Sequence, residues 1–269
     1  MIYIDDITYS SLFLTTGVPW QSMRVRILLA LTLTATLPAI AQTTPNTLTS
    51  SEKAQGWHLL FDGKTSTGWR GDHSPTFPSN GWEVKDGMIS VTEHGGEEGG
   101  NAGDIITTRK YANFELLVDF RITSGANSGI KYFVDPDLNK GTGSAIGFEY
   151  QILDDARHPD AKKGIHGDRT LASLYDMIPA APNKPVRPIG EWNTAPIVVR
   201  GAHGEHWLNG VKVVEYERFT PQFRKLVADS KYHVWPGFGE KHDGYILLQD
   251  HGFPVSFRNI KIRELAPTR

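Results

Sequence analysis

The sequence predicts an all-β fold: a sandwich of two packed antiparallel sheets, a jelly roll or a relative of one. Three observations predict it. Apolar and polar residues alternate with a period of two, most clearly where Phe114, Leu116, Val118, Phe120 and Ile122 take one face of a strand and Glu115, Asp119 and Arg121 the other. Tight-turn dipeptides separate such runs. Asp86-Gly87 lies between Trp82-Glu83-Val84 and Met88-Ile89-Ser90-Val91, and Asn209-Gly210 between His206-Trp207-Leu208 and Val211-Lys212-Val213-Val214. No long segment carries a helical repeat; residues 220–227 alone suit one short helix. Many short strands punctuated by Gly and Pro bury their apolar faces best by packing sheet on sheet.

From the N-terminus, Met23-Arg24-Val25-Arg26 is a short basic region, and residues 27–37 form an apolar run too short to span a bilayer. Ala39-Ile40-Ala41 is a small-x-small cleavage pattern. Residues 1–41 are therefore expected to be an upstream segment plus a signal peptide starting at Met23, with the mature chain beginning near Gln42. Thr32, Thr34, Thr36 and Pro38 interrupt the run and argue against a membrane anchor. Residues 42–55, rich in Thr, Ser, Pro and Asn, are expected to be a flexible leader, and residues 56–269 a single β-sandwich domain. The chain has 28 Lys and Arg against 30 Asp and Glu, mixed in sign along its length. That balance leaves no footprint for nucleic acid or an anionic membrane. Without cysteine there are neither disulfides nor thiolate-bound metals. Export to a bacterial periplasm or cell envelope is the expected location.

Further strands are expected at 130–134, 148–153, 171–175, 195–200, 245–249 and 255–262. The long polar stretches 71–80, 93–103, 154–168 and 179–191 are candidate rims of a binding face. In Phe148-Glu149-Tyr150-Gln151-Ile152-Leu153 the apolar set faces the core, so Glu149 and Gln151 project together on the other surface. There a carboxylate can act as a base and an amide can grip hydroxyls. Tyr245, Leu247, Gln249 and His251 likewise share a face, with Asp250 between the last two, and His251 titrates where it can move a proton near neutral pH. Arg169 offers a fixed guanidinium for an enolate or alkoxide oxygen. Trp235, beside Pro236 and Gly237, is the expected exposed platform for a sugar ring. No cofactor is required by the sequence. The segment from Asp154 to Asp168, with Asp155, His158, Asp160 and His166, has ligand types for a divalent cation but no fixed ligand spacing.

Eight ordered motifs carry a family resemblance. They begin with Gly56-Trp57-His58-Leu59-Leu60-Phe61-Asp62-Gly63-Lys64 and the Trp82-Glu83-Val84-Lys85-Asp86-Gly87 hairpin, then Phe114-Glu115-Leu116 and Asn127-Ser128-Gly129-Ile130. Glu149-Tyr150-Gln151-Ile152-Leu153-Asp154, Ser173-Leu174-Tyr175-Asp176, Glu205-His206-Trp207-Leu208-Asn209-Gly210 and Gln249-Asp250-His251-Gly252 complete the series. The chain resembles the 3-keto-disaccharide hydrolase family across residues 56–265. The resemblance implies a concanavalin A-like sandwich and a carbohydrate substrate oxidised at C3. A C3 ketone acidifies the C2 proton, so one base can open a route that does not need the paired carboxylates of an ordinary glycosidase. By similarity, Glu149 or His251 is the base, Arg169 the oxyanion stabiliser, and Gln151, Gln249 and Asp250 the positioning groups. Two other classes stay open. A conventional β-glycan hydrolase needs a second acid close by on the strand, where Gln151 stands; a glycan-binding module needs no base.

Overall fold

The computed structural model describes residues 44–94, 103–140 and 143–266. The signal-peptide reading of residues 1–41 lies outside them. The described strands are β1 (His58–Leu59), β2 (Trp69–Gly71), β3 (Trp82–Lys85), β4 (Met88–Val91), β5 (Ile105–Thr107), β6 (Phe114–Ile122), β7 (Asn127–Asp135), β8 (Ile146–Leu153), β9 (Asn193–Arg200), β10 (His203–Leu208), β11 (Val211–Glu217), β12 (Tyr245–Leu248) and β13 (Val255–Glu264). They pair antiparallel into a large sheet, β11-β10-β9-β6-β13-β4-β3 with β1 also on β13, and a small sheet, β2-β5-β12-β7-β8. This is the sandwich of two antiparallel sheets that the sequence predicts.

The alternation in β6 orients the large sheet. Phe114, Leu116, Val118, Phe120 and Ile122 are buried, and their β9 counterparts Ala195, Ile197 and Val199 continue the same inner face. Ile130, Phe148, Tyr150, Ile152, Ile246 and Leu248 of the small sheet pack into the same core. Polar groups also join the sheets. Tyr132 on β7 makes hydrogen bonds with His206 Nε2 on β10 (2.8 Å) and Tyr216 Oη on β11 (2.7 Å). Because His206 Nδ1 lies 3.0 Å from the Ala172 carbonyl, which can only accept, Nδ1 carries the ring proton and Nε2 accepts from Tyr132. Burial pushes the His206 pKa down to about 4, in keeping with that neutral tautomer.

Both predicted hairpins form, and the short helix is α2 (Pro221–Asp229), capped by Thr220, whose Oγ1 accepts from Phe223 N at 3.1 Å. Two expectations differ. The leader is docked from Asn46 onward. Asn46 Nδ2 donates to Gly87 O (2.9 Å), its Oδ1 accepts from Asn259 N (2.7 Å), and helix α1 (Ser50–Ala54) follows. Thr49 and Glu52 close a capping box at its start, and Glu52 pairs with Lys261. Residues 171–175, read as a strand, form an irregular segment pressed along β8, in which only Leu174 makes bridges, to Tyr150 and Ile178. Ala172 there, and Asp176 just beyond, hold left-handed φ of 66° and 60°, which interrupt regular strand pairing. Strands β1, β2 and β5 are two or three residues long, too short for a period to show. Among the described residues, no helix is long and apolar enough to cross a membrane.

Candidate functional site

The outward face of the small sheet carries the site. Glu149 and Gln151 leave β8 away from the core, Lys131 and Asn127 leave β7, and Gln249 follows β12. Register brings them together: Lys131 is the cross-strand partner of Glu149, Gly129 that of Gln151, and Gln249 N donates to Gly129 O at 2.9 Å. Ser128 Oγ adds a bond to Gln249 O (2.8 Å). Gly129 sets how the carboxylate lies. A β-carbon there would stand 2.6 Å from Glu149 Oε1, so the bare backbone makes room for the carboxylate to lie across the sheet.

A cavity of about 240 Å³ opens over this face, lined by Asn127, Glu149, Gln151, His158, Asp160, Lys163, Tyr175, Lys231, Gln249 and His251. Its walls come from loops. The segment after β8 turns through His158, whose Nδ1 accepts from Asp160 N (3.2 Å) at the start of a 3-10 turn, Pro159–Lys162. Residues 172–175 then run back along β8, with Ala172 N donating to Gln151 O (2.8 Å) and Tyr175 N to Glu149 O (3.0 Å). Those bonds set Tyr175 beside Glu149. Its hydroxyl donates to Asp160 Oδ2 (2.7 Å), and its ring lies 4.2 Å beneath the Lys231 ammonium. Burial, the Glu149 charge and the Asp160 bond all raise the Tyr175 pKa, so the phenol keeps its proton.

Behind the cavity, Asp104 ties its floor together. Its Oδ1 accepts from Asp250 N (2.7 Å), and its Oδ2 bonds Ser144 Oγ, which also meets Lys131 Nζ. Burial raises the Asp104 pKa to about 7, with the Lys131 charge opposing and Asp72 adding to the rise. One network therefore anchors both Lys131, opposite Glu149, and Asp250, next to His251. His158 and His251 meet edge to face, ring centroids 6.1 Å apart, and the His158 pKa is lowered by burial and by His251.

Residues 56–263 match the model of the 3-keto-alpha-glucoside-1,2-lyase-like domain. The chain belongs to this family. It is 41% identical over 232 residues to the 3-keto-disaccharide hydrolase of Bacteroides thetaiotaomicron, a match covering 79% of each chain. Two Parabacteroides distasonis proteins provisionally classed as glycosyl hydrolases share the fold. One superposes with a TM-score of 0.71 at 31% identity, covering 83% of this chain and 100% of its own. The other gives 0.60 at 28% identity, covering 78% and 99%.

Within this lyase-like domain, the pair Glu149 and Gln151 and the pair Gln249 and His251, each set on one face by the sequence pattern, converge on one cavity. Two site expectations are corrected. Arg169 does not line the cavity; its Nε donates to Asp176 (2.6 Å) and its Nη1 to Asp160 (3.3 Å), so it positions Asp160 from behind. Asp250, expected as a positioning group, is fully buried and held by Asp104, Gly252 and His94. Trp235 is half-buried against the core and borders neighbouring hollows rather than the Glu149 cavity. Of the expected rims, residues 154–168 supply lining groups, 71–80 and 179–191 do not, and most of 93–103 lies outside the described residues. The carboxylates offered for a divalent cation largely hold the loop itself: Asp154 accepts from Gly125 N, Asp155 from Leu171 N and Asp168 from Ile165 N. Asn127 and Tyr175 belong to motifs of the family resemblance that give them no role, Asp160 belongs to the loop with cation-ligand residue types, and Lys231 carries no sequence signal. Asp160 also qualifies the argument from Gln151: a second carboxylate does enter the cavity, from a loop.

Proposed function

We propose that the protein is an exported carbohydrate-active enzyme that cleaves 3-keto-glycosides by removing the C2 proton and expelling the aglycone from C1. The observation that carries this reading is the convergence of two candidate bases, Glu149 and His251, with the ammonium of Lys231 in one polar cavity. The family description and the name of the Bacteroides thetaiotaomicron relative support the substrate class.

The chemistry runs as follows. Glu149 or His251 takes the C2 proton, and the C–H electron pair moves into the ketone to give a C3 enolate. A nearby cation stabilises that developing charge, and Lys231 replaces Arg169 in the role because it faces the cavity. The enolate reforms its carbonyl, the C1–C2 double bond forms, and the C1–O bond breaks. The aglycone oxygen takes its proton from water or from the base that received the C2 proton. Addition of water across the double bond, hydroxyl to C1 and proton to C2, completes a hydrolysis. Gln151, Gln249 and Asn127 supply amides for ring hydroxyls.

A conventional acid pair, Glu149 with Asp160, is the second reading, since both carboxylates line the cavity. Against it, both oxygens of Asp160 are engaged, by Tyr175 and Arg169. A matched pair of substrates separates the two. With a glucoside and its 3-keto derivative, aglycone release from the oxidised compound alone is expected; equal release from both defeats the C2 route. Deuterium at C2 should give a primary isotope effect or wash out into solvent. Export predicts a mature chain beginning at Gln42 by mass spectrometry, and a soluble chain retaining residues 1–37 contradicts it.

A further inference from the structure

Strand β11 ends the large sheet, and with β10 it sets four titratable side chains in a square. His203 and Glu205 stand two residues apart on β10, and their cross-strand partners on β11 are Glu217 and Glu215. The alternate residues Gly204 and His206 are buried, so the square lies on the outer face. Glu205 directly opposite Glu215 is a like-charge pair, which destabilises a sheet unless a cation lies between the two. Lys212 Nζ partly meets that need, 3.2 Å from Glu205 Oε1 and 2.8 Å from Glu215 Oε1. Three carboxylates against one ammonium still leave an excess of negative charge while His203 is neutral. The imidazole adds a second demand. Its shortest contact is from Nδ1 to Glu217 Oε1 (2.6 Å), an acceptor, so in the neutral ring Nδ1 carries the proton and Nε2 presents a lone pair. That lone pair faces two more acceptors, Glu205 Oε1 at 3.2 Å and Glu215 Oε1 at 3.4 Å. Only a proton on Nε2 or a metal ion joins the ring to these carboxylates. The spacing suits a metal, because donors bound tetrahedrally at roughly 2.0–2.1 Å stand about 3.3 Å apart. Two of the three donors are also oriented from behind, the imidazole by Glu217 and Glu205 by Trp207, whose Nε1 donates to Oε2 (2.7 Å) and turns Oε1 toward His203.

We propose that His203 Nε2, Glu205 Oε1 and Glu215 Oε1 bind a divalent transition-metal ion of the zinc class, with water completing the tetrahedron on the solvent side. The three donor atoms lie within 4.8 Å of one another, the one such group among the described residues. An imidazole nitrogen beside carboxylate oxygens suits zinc; magnesium and calcium take oxygen donors. Lys212 flanks both carboxylates and is 35% exposed, so its ammonium swings to solvent as the ion enters. The ion offsets the excess charge and ties the edge strand β11 to β10, whose His206 in turn bonds Tyr132 of the other sheet. Its role is structural. The site belongs to the sheet opposite the Glu149 cavity and shares no residue with it.

The test uses the protein purified without a histidine tag, stripped with EDTA and titrated with Zn2+ alone, above the pH range in which histidine titrates. A competing chromophoric chelator reports the bound metal, and calorimetry reports the unfolding midpoint. The wild type should take up an ion that His203→Ala does not, and Zn2+ should raise the midpoint of the wild type but not of this variant. Glu217→Gln should weaken binding of that ion at least ~10-fold, the scale of losing a group that orients a ligand. Lys212→Met should tighten it several-fold by removing the competing charge. Retention of the ion by His203→Ala, or no uptake by the wild type, overturns the proposal. The Glu149 cavity also holds histidines, so His251→Ala is the control. It should keep the ion, and an ion lost there while His203→Ala retains it belongs to that cavity and overturns the assignment. Ca2+ should leave the midpoint unchanged; a rise equal to that with Zn2+ overturns the choice of metal.

Discussion

The two sheets have the same alternation and opposite outer faces. On β6 of the large sheet every second residue is buried and the others are half-exposed, while on β8 of the small sheet all eight are buried. The outward groups of the large sheet make surface pairs: Glu115 with Arg263, and Arg121 and Arg258 each with Trp192, 4.8 and 4.0 Å from its ring. Those of the small sheet, Glu149, Gln151 and Gln249, are buried and line a cleft walled by loops. Burying such groups is costly unless they are well partnered, so a sheet face that keeps them covered marks where chemistry is done.

The largest expected effect breaks this asymmetry directly. Glu149→Gln should lower turnover at least ~100-fold if Glu149 is the base, and His251→Ala should do so if His251 is; one of them need show the full loss. Glu115→Gln on the opposite face should leave turnover within about twofold. Gly129→Ala sharpens the point. The new methyl group displaces the carboxylate, so at least a ~10-fold loss of kcat is expected with a thermal unfolding midpoint close to the wild type.

Next comes the joint between the faces. His206 is neutral in the folded protein with its pKa near 4, whereas an unfolded histidine takes up a proton near 6.5. Its contribution is therefore intact above pH ~6.5 and is lost as pH falls toward 4. The full shift corresponds to roughly 3 kcal/mol. Denaturant titrations should show His206→Gln flattening the acid side of the stability profile, and an unchanged slope between pH 6.5 and 4 contradicts the assignment. Arg169→Lys should reduce kcat about tenfold by loosening Asp160, with a smaller change in KM, because a lysine cannot bond both carboxylates as the guanidinium does. The smallest effect belongs to the outer face of the large sheet, where Arg263→Ala should cost under about 1 kcal/mol of stability and no activity.

The sandwich and half of the site were legible because strands have a period of two: once Phe148, Tyr150 and Ile152 are set in the core, Glu149 and Gln151 must point the other way. The same rule brought Gln249, one residue past β12, to that face, and His251 follows it on the loop. It has no power over loops. Tyr175, Asp160 and Lys231 reach the cavity through irregular backbone whose path depends on tertiary bonds, Tyr175 N to Glu149 O among them. Arg169 was misassigned for the same reason, since its carboxylate partners lie 7 and 9 residues away on turns. The docked leader, by contrast, carried a local signal: Thr49 three residues before Glu52 spells a capping box.

Arg169 grips two carboxylates with different duties: Asp160 stands in one lip of the cleft, and Asp176 receives the backbone N–H of Lys231 (2.6 Å), which opens the other lip. The lips are thus clasped by one guanidinium and cannot be redesigned separately. A loop graft that alters residues 154–168 without keeping an acceptor for Arg169 shifts the turn bearing Lys231 as well, so any change of substrate preference engineered at one lip is inherited by the other.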